Sequence, residues 1–571
     1  MRIERRPLPA VLPDLGDIPP LLTRIYAARG VESAAELEKG LARLLPTHLL
    51  KGMDAAVLLL AQALKQRQRI LIVGDFDADG ATASCVGVLG LRMLGAAHVD
   101  YLVPNRFDYG YGLTPEIVAV ALQRQPDLLI TVDNGISSME GVAAAKAAGL
   151  TVIVTDHHLP GAELPKADAI VNPNQPGCEF PSKALAGVGV MFYVLLGLRA
   201  HLRGSGWFAQ QGINEPNLAE LLDLVALGSV ADVVPLDANN RILVHQGLAR
   251  IRAGRSRPGL RAILDVARRD HRRLVATDLG FIVGPRLNAA GRLDDISLGI
   301  ECLLCEDFAE AMQHAQQLDQ LNQDRKQIEQ GMQREALVQL KDLPLDNLPF
   351  GLCLFEPEWH QGVIGILASR MKERYHRPVI AFADADHDEL KGSARSIPGL
   401  HIRDALDAVA ARFPELISKF GGHAMAAGLT IKSVHYEAFA KAFDAEVRRQ
   451  LTADDLTGRI YSDGSLAADE FDMQLAQALR HAGPWGQRFP EPLFHGNFKV
   501  VSQRLVGEKH LKLVLQSTSG APQVDAIAFN VDLNIWPNPN IGTAQVAYSL
   551  DINEFRGNES LQLMVSSISP C

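Results

Sequence analysis

Apolar and polar positions alternate along this chain in three ways, and each predicts a different kind of element. Between about residues 53 and 155, short and nearly continuous apolar runs alternate with helical stretches, as strands buried on both faces of a sheet require. A helix from about Met53 to Arg67 leads to Ile70-Leu-Ile-Val, a buried strand that ends in Gly74-Asp75-Phe-Asp77-Ala-Asp79-Gly80. A small-residue helix, Ala81 to Gly95, follows. His98-Val-Asp-Tyr-Leu-Val is a second strand, ending in Pro104-Asn105-Arg106, with a helix over Thr114–Arg124 after it. Asp127-Leu-Leu-Ile-Thr-Val ends on Asp133-Asn134-Gly135, a helix covers Ser138–Ala148, and Thr151-Val-Ile-Val-Thr ends on Asp156-His157-His158. This order predicts an α/β fold with a doubly wound parallel sheet.

The second pattern is a single long helix, Glu306 to Leu340, in which Leu318, Leu321, Ile328, Met332, Leu337 and Leu340 recur at helical spacing between Gln, Asp and Lys. It reads as a rigid spacer. The third begins near Gly458, where five short alternating strands start at Phe498, His510, Val524, Gln545 and Ser560. By pattern alone they suit a small barrel or a β-sandwich. The first 50 residues are Pro-rich and then form short helical segments, Pro20–Arg29 and Ser33–Arg43, an extension packed on a larger body.

Length and charge narrow the picture. At 571 residues the chain needs several cores. With 47% hydrophobic and 21% charged residues it reads as an ordinary globular protein. No apolar run reaches ~18 residues and no signal peptide opens the chain, so a cytoplasmic protein without a membrane partner is expected. Six scattered cysteines suit a reducing compartment, and the lone Cys302-Leu-Leu-Cys305 has no second pair to complete a zinc site. Net charge is −10, yet Arg241 to Arg292 holds twelve arginines against Asp265, Asp270 and Asp278, with no Lys or Glu. That segment reads equally as a grip on a polyanion or as a solvated helix face.

The chemistry lies at strand ends. Ligand sites of open parallel sheets form at the carboxyl edge, and three strands deliver Asp75/Asp77/Asp79, Asp133 and Asp156/His157/His158 to that edge. Asp232, after a helix over Leu218–Leu227, adds a further acid. Carboxylates so close together repel one another unless a cation lies among them. A calcium loop does not fit, because no Glu stands at its twelfth position and no helix precedes it. Oxygen and imidazole donors without thiolate favour Mn²⁺ or Mg²⁺, and the surplus of acids points to two ions sharing a carboxylate.

Asp75-x-Asp77-x-Asp79-Gly, Asp133-Asn-Gly and Asp156-His157-His158 resemble the DHH phosphoesterase superfamily. Gly228-Ser-Val-Ala-Asp232-Val-Val-Pro-Leu, Gly284-Pro-Arg286-Leu-Asn288-Ala-Ala-Gly291-Arg292 and Gly421-Gly422-His423-Ala-Met-Ala-Ala-Gly428 are similar to its RecJ branch of single-strand-specific exonucleases. The resemblance implies an extension over 1–50, a DHH catalytic domain with the Arg-rich segment over 51–305, and a connecting helix over 306–343. It further implies a DHHA1 substrate-binding lobe over 344–457 that closes over the metal site, and an OB-type barrel over 458–571. Asp75, Asp77, Asp79, Asp133, His157 and Asp232 are then the expected metal ligands. Asp79, Asp133, Asp156, His157 and His158 are the expected catalytic set, with His158 touching the scissile phosphate and Asp156 orienting an imidazole. Asn105, Arg106, Arg286, Asn288, Arg292, His360, Ser369, Arg370, Ser393, Arg395, Gly422 and His423 are expected to hold the strand.

The implied activity is metal-dependent release of 5′-mononucleotides from the 5′ end of single-stranded DNA, in repair and recombination. Implied partners are single-strand binding protein, a helicase and repair factors, around a monomer at the nucleoid. A small-molecule phosphodiesterase or pyrophosphatase of the superfamily is the alternative enzyme. A non-catalytic replication scaffold is the alternative outside enzymes.

Overall fold

The computed structural model describes residues 2–103, 112–340, 348–385, 388–555 and 557–571. The chain divides into two compact units that are not contiguous in sequence: residues 5–320 with 461–571, and residues 321–460 with the N-terminal tetrapeptide.

The larger unit holds a five-stranded sheet in the spatial order His98–Leu102, Arg69–Gly74, Leu128–Val132, Thr151–Thr155, Ala169–Val171, with every neighbouring pair parallel. Helices cover both faces, so the strands are apolar on both sides. Leu71, Val73, Leu129, Val152 and Val154 meet Ile117, Val118, Val142 and Ala145 of helices Pro115–Leu122 and Met139–Ala147. On the opposite face Ile72 meets Gly87 of helix Ala78–Met93, where a side chain would collide with it. This is the doubly wound sheet expected, with one strand more than the pattern showed: Ala169–Val171 has only three residues.

The C-terminal region closes into a barrel in the order Phe494–Val506, His510–Ser517, Gln523–Ala528, Asn558–Pro570, Thr543–Phe555. Gln523–Ala528 pairs in parallel with Asn558–Pro570, and that pairing removes the free edges a sandwich would keep. The barrel core, with Phe494, Phe498, Trp536 and Tyr548, includes Leu21 and Ile25 of helix Pro20–Ala27. Arg29, just past that helix, forks onto Asp463 at 2.8 and 2.9 Å and donates to the Pro490 carbonyl at 2.7 Å. Residues 20–29 are therefore part of the barrel's own packing, while Glu36, Lys39 and Leu45 bond to helix Ala238–Arg252.

Some arginines of the rich segment are taken up by partners within the fold, while the Arg269 and Arg272 side chains stay more than half exposed. Arg273 pairs with Glu554 and Glu559 of the barrel, Arg272 with Asp270, Arg261 with Asp265 and Arg286 with Asp319. Arg241 donates to the Leu236 and Glu36 carbonyls and lies over the Phe489 ring at 4.3 Å. Arg241, Arg273 and Arg286 thus tie separate elements of the unit together, because a planar fork satisfies carboxylates and carbonyls from several directions, whereas Arg261 and Arg272 pair locally.

In the smaller unit the sheet order is Lys419–Gly422, Ala426–Lys432, Glu389–Arg395, Val379–Asp384, Leu352–Phe355. Only the last pair is parallel. Phe439 and Phe443 of helix Tyr436–Gln450 and Leu406 of helix Ile402–Arg412 fill its core. Helix Phe308–Leu340 contributes its second half here, where buried Arg325 donates to Glu329 at 2.5 Å and to Asn322 at 2.7 Å. All six cysteines are free thiols, and Cys302 is buried beside the Gly259 and Ala311 carbonyls rather than in a metal site. Among the described residues no single helix is long and apolar enough to cross a membrane.

Candidate metal centre

The carboxyl edge of the parallel sheet gathers the residues that the strand ends deliver. Asp77 caps helix Ala78–Met93, its Oδ1 accepting the N–H groups of Asp79 at 2.9 Å and Gly80 at 3.1 Å. Asp79, in the first turn, is fully buried. Its Oδ2 accepts the Gly187 N–H at 2.6 Å and its Oδ1 the Val188 N–H at 3.0 Å, both from the first turn of helix Gly187–Gly204. A helix start thus fixes this carboxylate from behind.

Asp133 adopts the left-handed conformation, φ 62°, as the chain leaves its strand. The Asn134 side chain locks that turn by donating to the Val73 carbonyl at 3.1 Å and the Val132 carbonyl at 2.9 Å. Val233, directly after Asp232, also has a positive φ of 61°, which is strained for a β-branched residue.

His157 Nε2 lies 3.1 Å from Asp133 Oδ1, 3.5 Å from Asp232 Oδ2 and 3.9 Å from Asp79 Oδ2. Donors bound to one ion at ~2.1 Å stand about 3 Å apart, so this spacing suits convergence on a cation. Three overlapping groups have mutually close donor atoms: Asp75/Asp77/Asp133, Asp79/His157/Asp232 and Asp133/His157/His158. Asp133 belongs to two of them, the position a bridging carboxylate needs. Its Oδ1 is buried and accepts no hydrogen bond, which leaves that oxygen available to an ion. The set contains oxygen and imidazole donors and no sulfur, which fits Mn²⁺ or Mg²⁺.

The electrostatics agree. Burial, and then the charge of Asp77, pushes Asp79 up to about 7 and Asp75 well above the usual carboxylate range. Burial followed by Asp79 and Asp77 does the same to Asp133 and Asp232. So many raised carboxyls in one place call for a cation to ionise them. Asp156 differs. Burial opposes its charge, but its bond to His158 Nδ1 at 2.8 Å wins and holds it below the ordinary value. Burial lowers His158 in turn, yet Asp156 raises it to about 9. Asp156 and the His158 ring thus form a hydrogen-bonded pair.

The expected strand-holding residues are distributed between the units. Asn105 and Arg106 lie outside the described residues. Asn288 Oδ1 accepts the Ala78 N–H at 2.8 Å, so it supports the aspartate loop, and Gly291 lets the same helix press against the Phe76 carbonyl. Arg286 is bound to Asp319 and the Ile282 carbonyl, and Arg292 sits in the last turn of that helix, Gly284–Leu293.

In the smaller unit Arg395 donates to Ser393 Oγ at 3.1 Å and pairs across the sheet with Ala426. His423 lies in the adjoining turn after Gly422, donating its backbone N–H to the Ala426 carbonyl. Gly365, at the start of helix Ile364–Tyr375, leaves the space that the Arg395 guanidinium occupies. Ser369 and Arg370 lie farther along this helix, and Arg370 is tied to Glu329 at 2.9 Å. His360 Nδ1 accepts the Gly362 N–H.

Comparison with known proteins gives this geometry a family. The DHH family, N-terminal domain, matches residues 69–229; the DHHA1 domain matches 349–449; the RecJ OB domain matches 462–567. The single-stranded-DNA-specific exonuclease RecJ of Salmonella typhimurium is 58% identical over 556 residues, 97% of this chain and 96% of the relative. The chain belongs to the RecJ family. The Escherichia coli exonuclease of the same name is 57% identical over the same shares. Among solved structures, RecJ from Thermus thermophilus in complex with Mn²⁺ aligns with a TM-score of 0.81 at 32% identity, covering all of this chain and 79% of that one. The Mg²⁺ complex gives 0.75 at 30%.

Two groups of site residues had no readable signal in the sequence. Gly187 and Val188 act through backbone N–H groups, which any sequence supplies. Asn172 and Asn174 follow a strand of three residues, too short for its pattern to register.

Proposed function

We propose that the chain is a single-stranded-DNA-specific exonuclease that hydrolyses phosphodiesters at this centre with Mn²⁺ or Mg²⁺, working from the 5′ end and releasing 5′-mononucleotides. The observation that carries the reading is the convergence on buried Asp133 of His157 and of the other carboxylates at the sheet edge. Asp75, Asp77, Asp79, Asp133, His157 and Asp232 would hold two ions. Bound there, such ions lower the pKa of a water and steady charge on the phosphoryl oxygens.

The chain's own residues do the rest. Helix Gly187–Gly204 fixes Asp79, and the Asn134 lock fixes Asp133. Asp156 holds His158 for contact with the scissile phosphate rather than with an ion. In the smaller unit Ser393, Arg395, Gly422 and His423 form one polar edge suited to phosphates, which positions a strand without reading its bases. The role is in repair and recombination at the nucleoid, with single-strand binding protein, a helicase and repair factors as partners.

The test is digestion of a single-stranded oligonucleotide labelled at either end in turn, with Mn²⁺ and with EDTA, beside Asp133→Ala. Metal-dependent release of mononucleotides from the 5′ end, abolished in the variant, is the expected result. Inert long strands with rapid hydrolysis of pyrophosphate or dinucleotides would replace the reading with a small-molecule phosphodiesterase. Inactivity on both would leave a scaffold.

A further inference from the structure

The His157–His158 dipeptide lies beyond the end of its strand, so its backbone groups have no sheet partners, and all four are met by side chains. On the donor side, Asp156 Oδ1 accepts both N–H groups, at 2.7 Å from His157 and 3.1 Å from His158. On the acceptor side, Asn174 Nδ2 donates to the His157 carbonyl at 2.6 Å and Asn172 Nδ2 donates to the His158 carbonyl at 2.9 Å. The two asparagines are themselves joined, because Asn172 Oδ1 accepts the Asn174 N–H at 2.7 Å. Pro173 between them fixes one backbone angle, and its carbonyl accepts from Lys183 Nζ at 2.7 Å. Asn172 is fully buried. The turn follows the fifth parallel strand, so the sheet delivers it to the same edge as the histidines.

We propose that Asn172 and Asn174 are positioning residues that clamp the histidine dipeptide and thereby set where both imidazoles stand. Adjacent side chains on an extended strand point to opposite faces, yet the two rings here are 4.5 Å apart at one site. Keeping them there requires a dipeptide turned out of strand geometry and held from both sides. Asp156 alone grips only the N–H side; the asparagine amides complete the hold on the carbonyl side. The inference rests on the metal-dependent nuclease reading, in which His157 is a ligand and His158 faces the phosphate. Residues that orient ligands typically change metal affinity or activity by about 10–100-fold when removed.

The test uses the full-length chain with Asn174→Ala, Asn174→Asp and Asn172→Ala. Asn174→Asp keeps the size and replaces the donor with an acceptor, so it should behave no better than the alanine. Mn²⁺ affinity is followed by electron paramagnetic resonance, with the imidazole-nitrogen couplings of the bound ion as the spectroscopic signature, and kcat and KM are measured on a single-stranded oligonucleotide. The expected result is about tenfold or more weaker Mn²⁺ binding, altered nitrogen couplings and a kcat lowered about 10–100-fold, with KM within twofold of the parent.

Parent-like Mn²⁺ affinity, couplings and kcat in Asn174→Ala would overturn the proposal. So would a raised KM alone, which would make Asn174 a strand contact. Should Asn172→Ala fail to fold, the half-buried Asn174 decides the matter by itself. A parent protein that neither binds Mn²⁺ nor cleaves would instead sink the nuclease reading, before any variant is compared.

Discussion

Gly187 is the place where a single methyl group should test the centre. It opens helix Gly187–Gly204, donates its N–H to Asp79 and lies directly against Asp133. A Cβ added there would stand 2.5 Å from Asp133 Cβ, 2.7 Å from its Oδ1 and 2.8 Å from its Cα. Ordinary contact begins near 3.4 Å, so something must retreat by about 1 Å. Asp133 has little slack: it is in the left-handed conformation, its N–H is bound to the Thr155 carbonyl at 3.1 Å, and the Asn134 amide holds the carbonyl of the preceding Val132.

Two effects of Gly187→Ala then oppose each other. Helix propensity favours alanine over glycine by up to ~1 kcal/mol. Overpacking a site without slack costs about 1–3 kcal/mol, and a 1 Å displacement of a reacting group lowers rates about 10²-fold. Packing should win. The metal-free protein should then unfold several degrees lower, Mn²⁺ should bind about tenfold more weakly or worse, and cleavage should fall about a hundredfold. The assays are thermal unfolding in EDTA, a Mn²⁺ titration and single-turnover digestion. An unfolding midpoint that rises, with parent-like metal affinity and rate, would show that the helix start yields freely and that the tight fit does not govern Asp133.

Without metal, stability should fall as pH rises from 6 to 8. Burial pushes the Asp79 carboxyl up to about 7 from an ordinary 3.8, so the folded state holds an extra proton between those values and that advantage is lost as pH rises through them. Asp75, Asp133 and Asp232 shift the same way, and the raised His158 also loses its contribution as pH climbs toward 9. Thermal unfolding in EDTA should show the slope and Mn²⁺ should flatten it; a flat profile in EDTA would contradict the clustering. Gly365→Ala should displace the Arg395 guanidinium, whose Nη2 would lie 2.8 Å from the new methyl. Because a flexible side-chain end can move, stability should change little while KM for the oligonucleotide rises about tenfold, within the range of one hydrogen bond to a charged group; unchanged KM would remove Arg395 from the strand path. Arg29→Ala would remove the forked partner of buried Asp463 and leave it Arg6 at 3.6 Å and the Leu493 N–H, costing about 1.5–3 kcal/mol by denaturant unfolding. Mn²⁺ affinity at fixed folded fraction should not move, and a loss there would show the N-terminal packing reaching the centre.

What could be read from the sequence was what repeats or punctuates. The strands before Asp75, Asp133 and Asp156 are apolar on both faces and end in acids, so the sheet and its loaded edge were visible together. The long helix and the alternating C-terminal strands carried equally plain periods. Charge partners carried none: Arg273 and Glu554 meet across nearly three hundred residues, which no local pattern encodes. The arginines therefore looked unassigned in a sequence where folding had already used many of them. Asn288 shows a similar limit. Its motif marked it for the site, yet only the fold reveals that its carbonyl oxygen holds the Ala78 N–H beneath the aspartates.

The packing of the first helix into the last domain sets a clock on biosynthesis. Arg29 and its partner Asp463 are 434 residues apart in the chain. At typical synthesis rates of ~5–20 residues per second, the N-terminal helix emerges roughly 20–90 s before the segment that buries Leu21 and Ile25 exists. Throughout that interval Leu21 and Ile25 await the barrel residues they pack against. The larger unit can close only once the barrel strands have been made, so a chain truncated within the barrel leaves Leu21 and Ile25 uncovered as well.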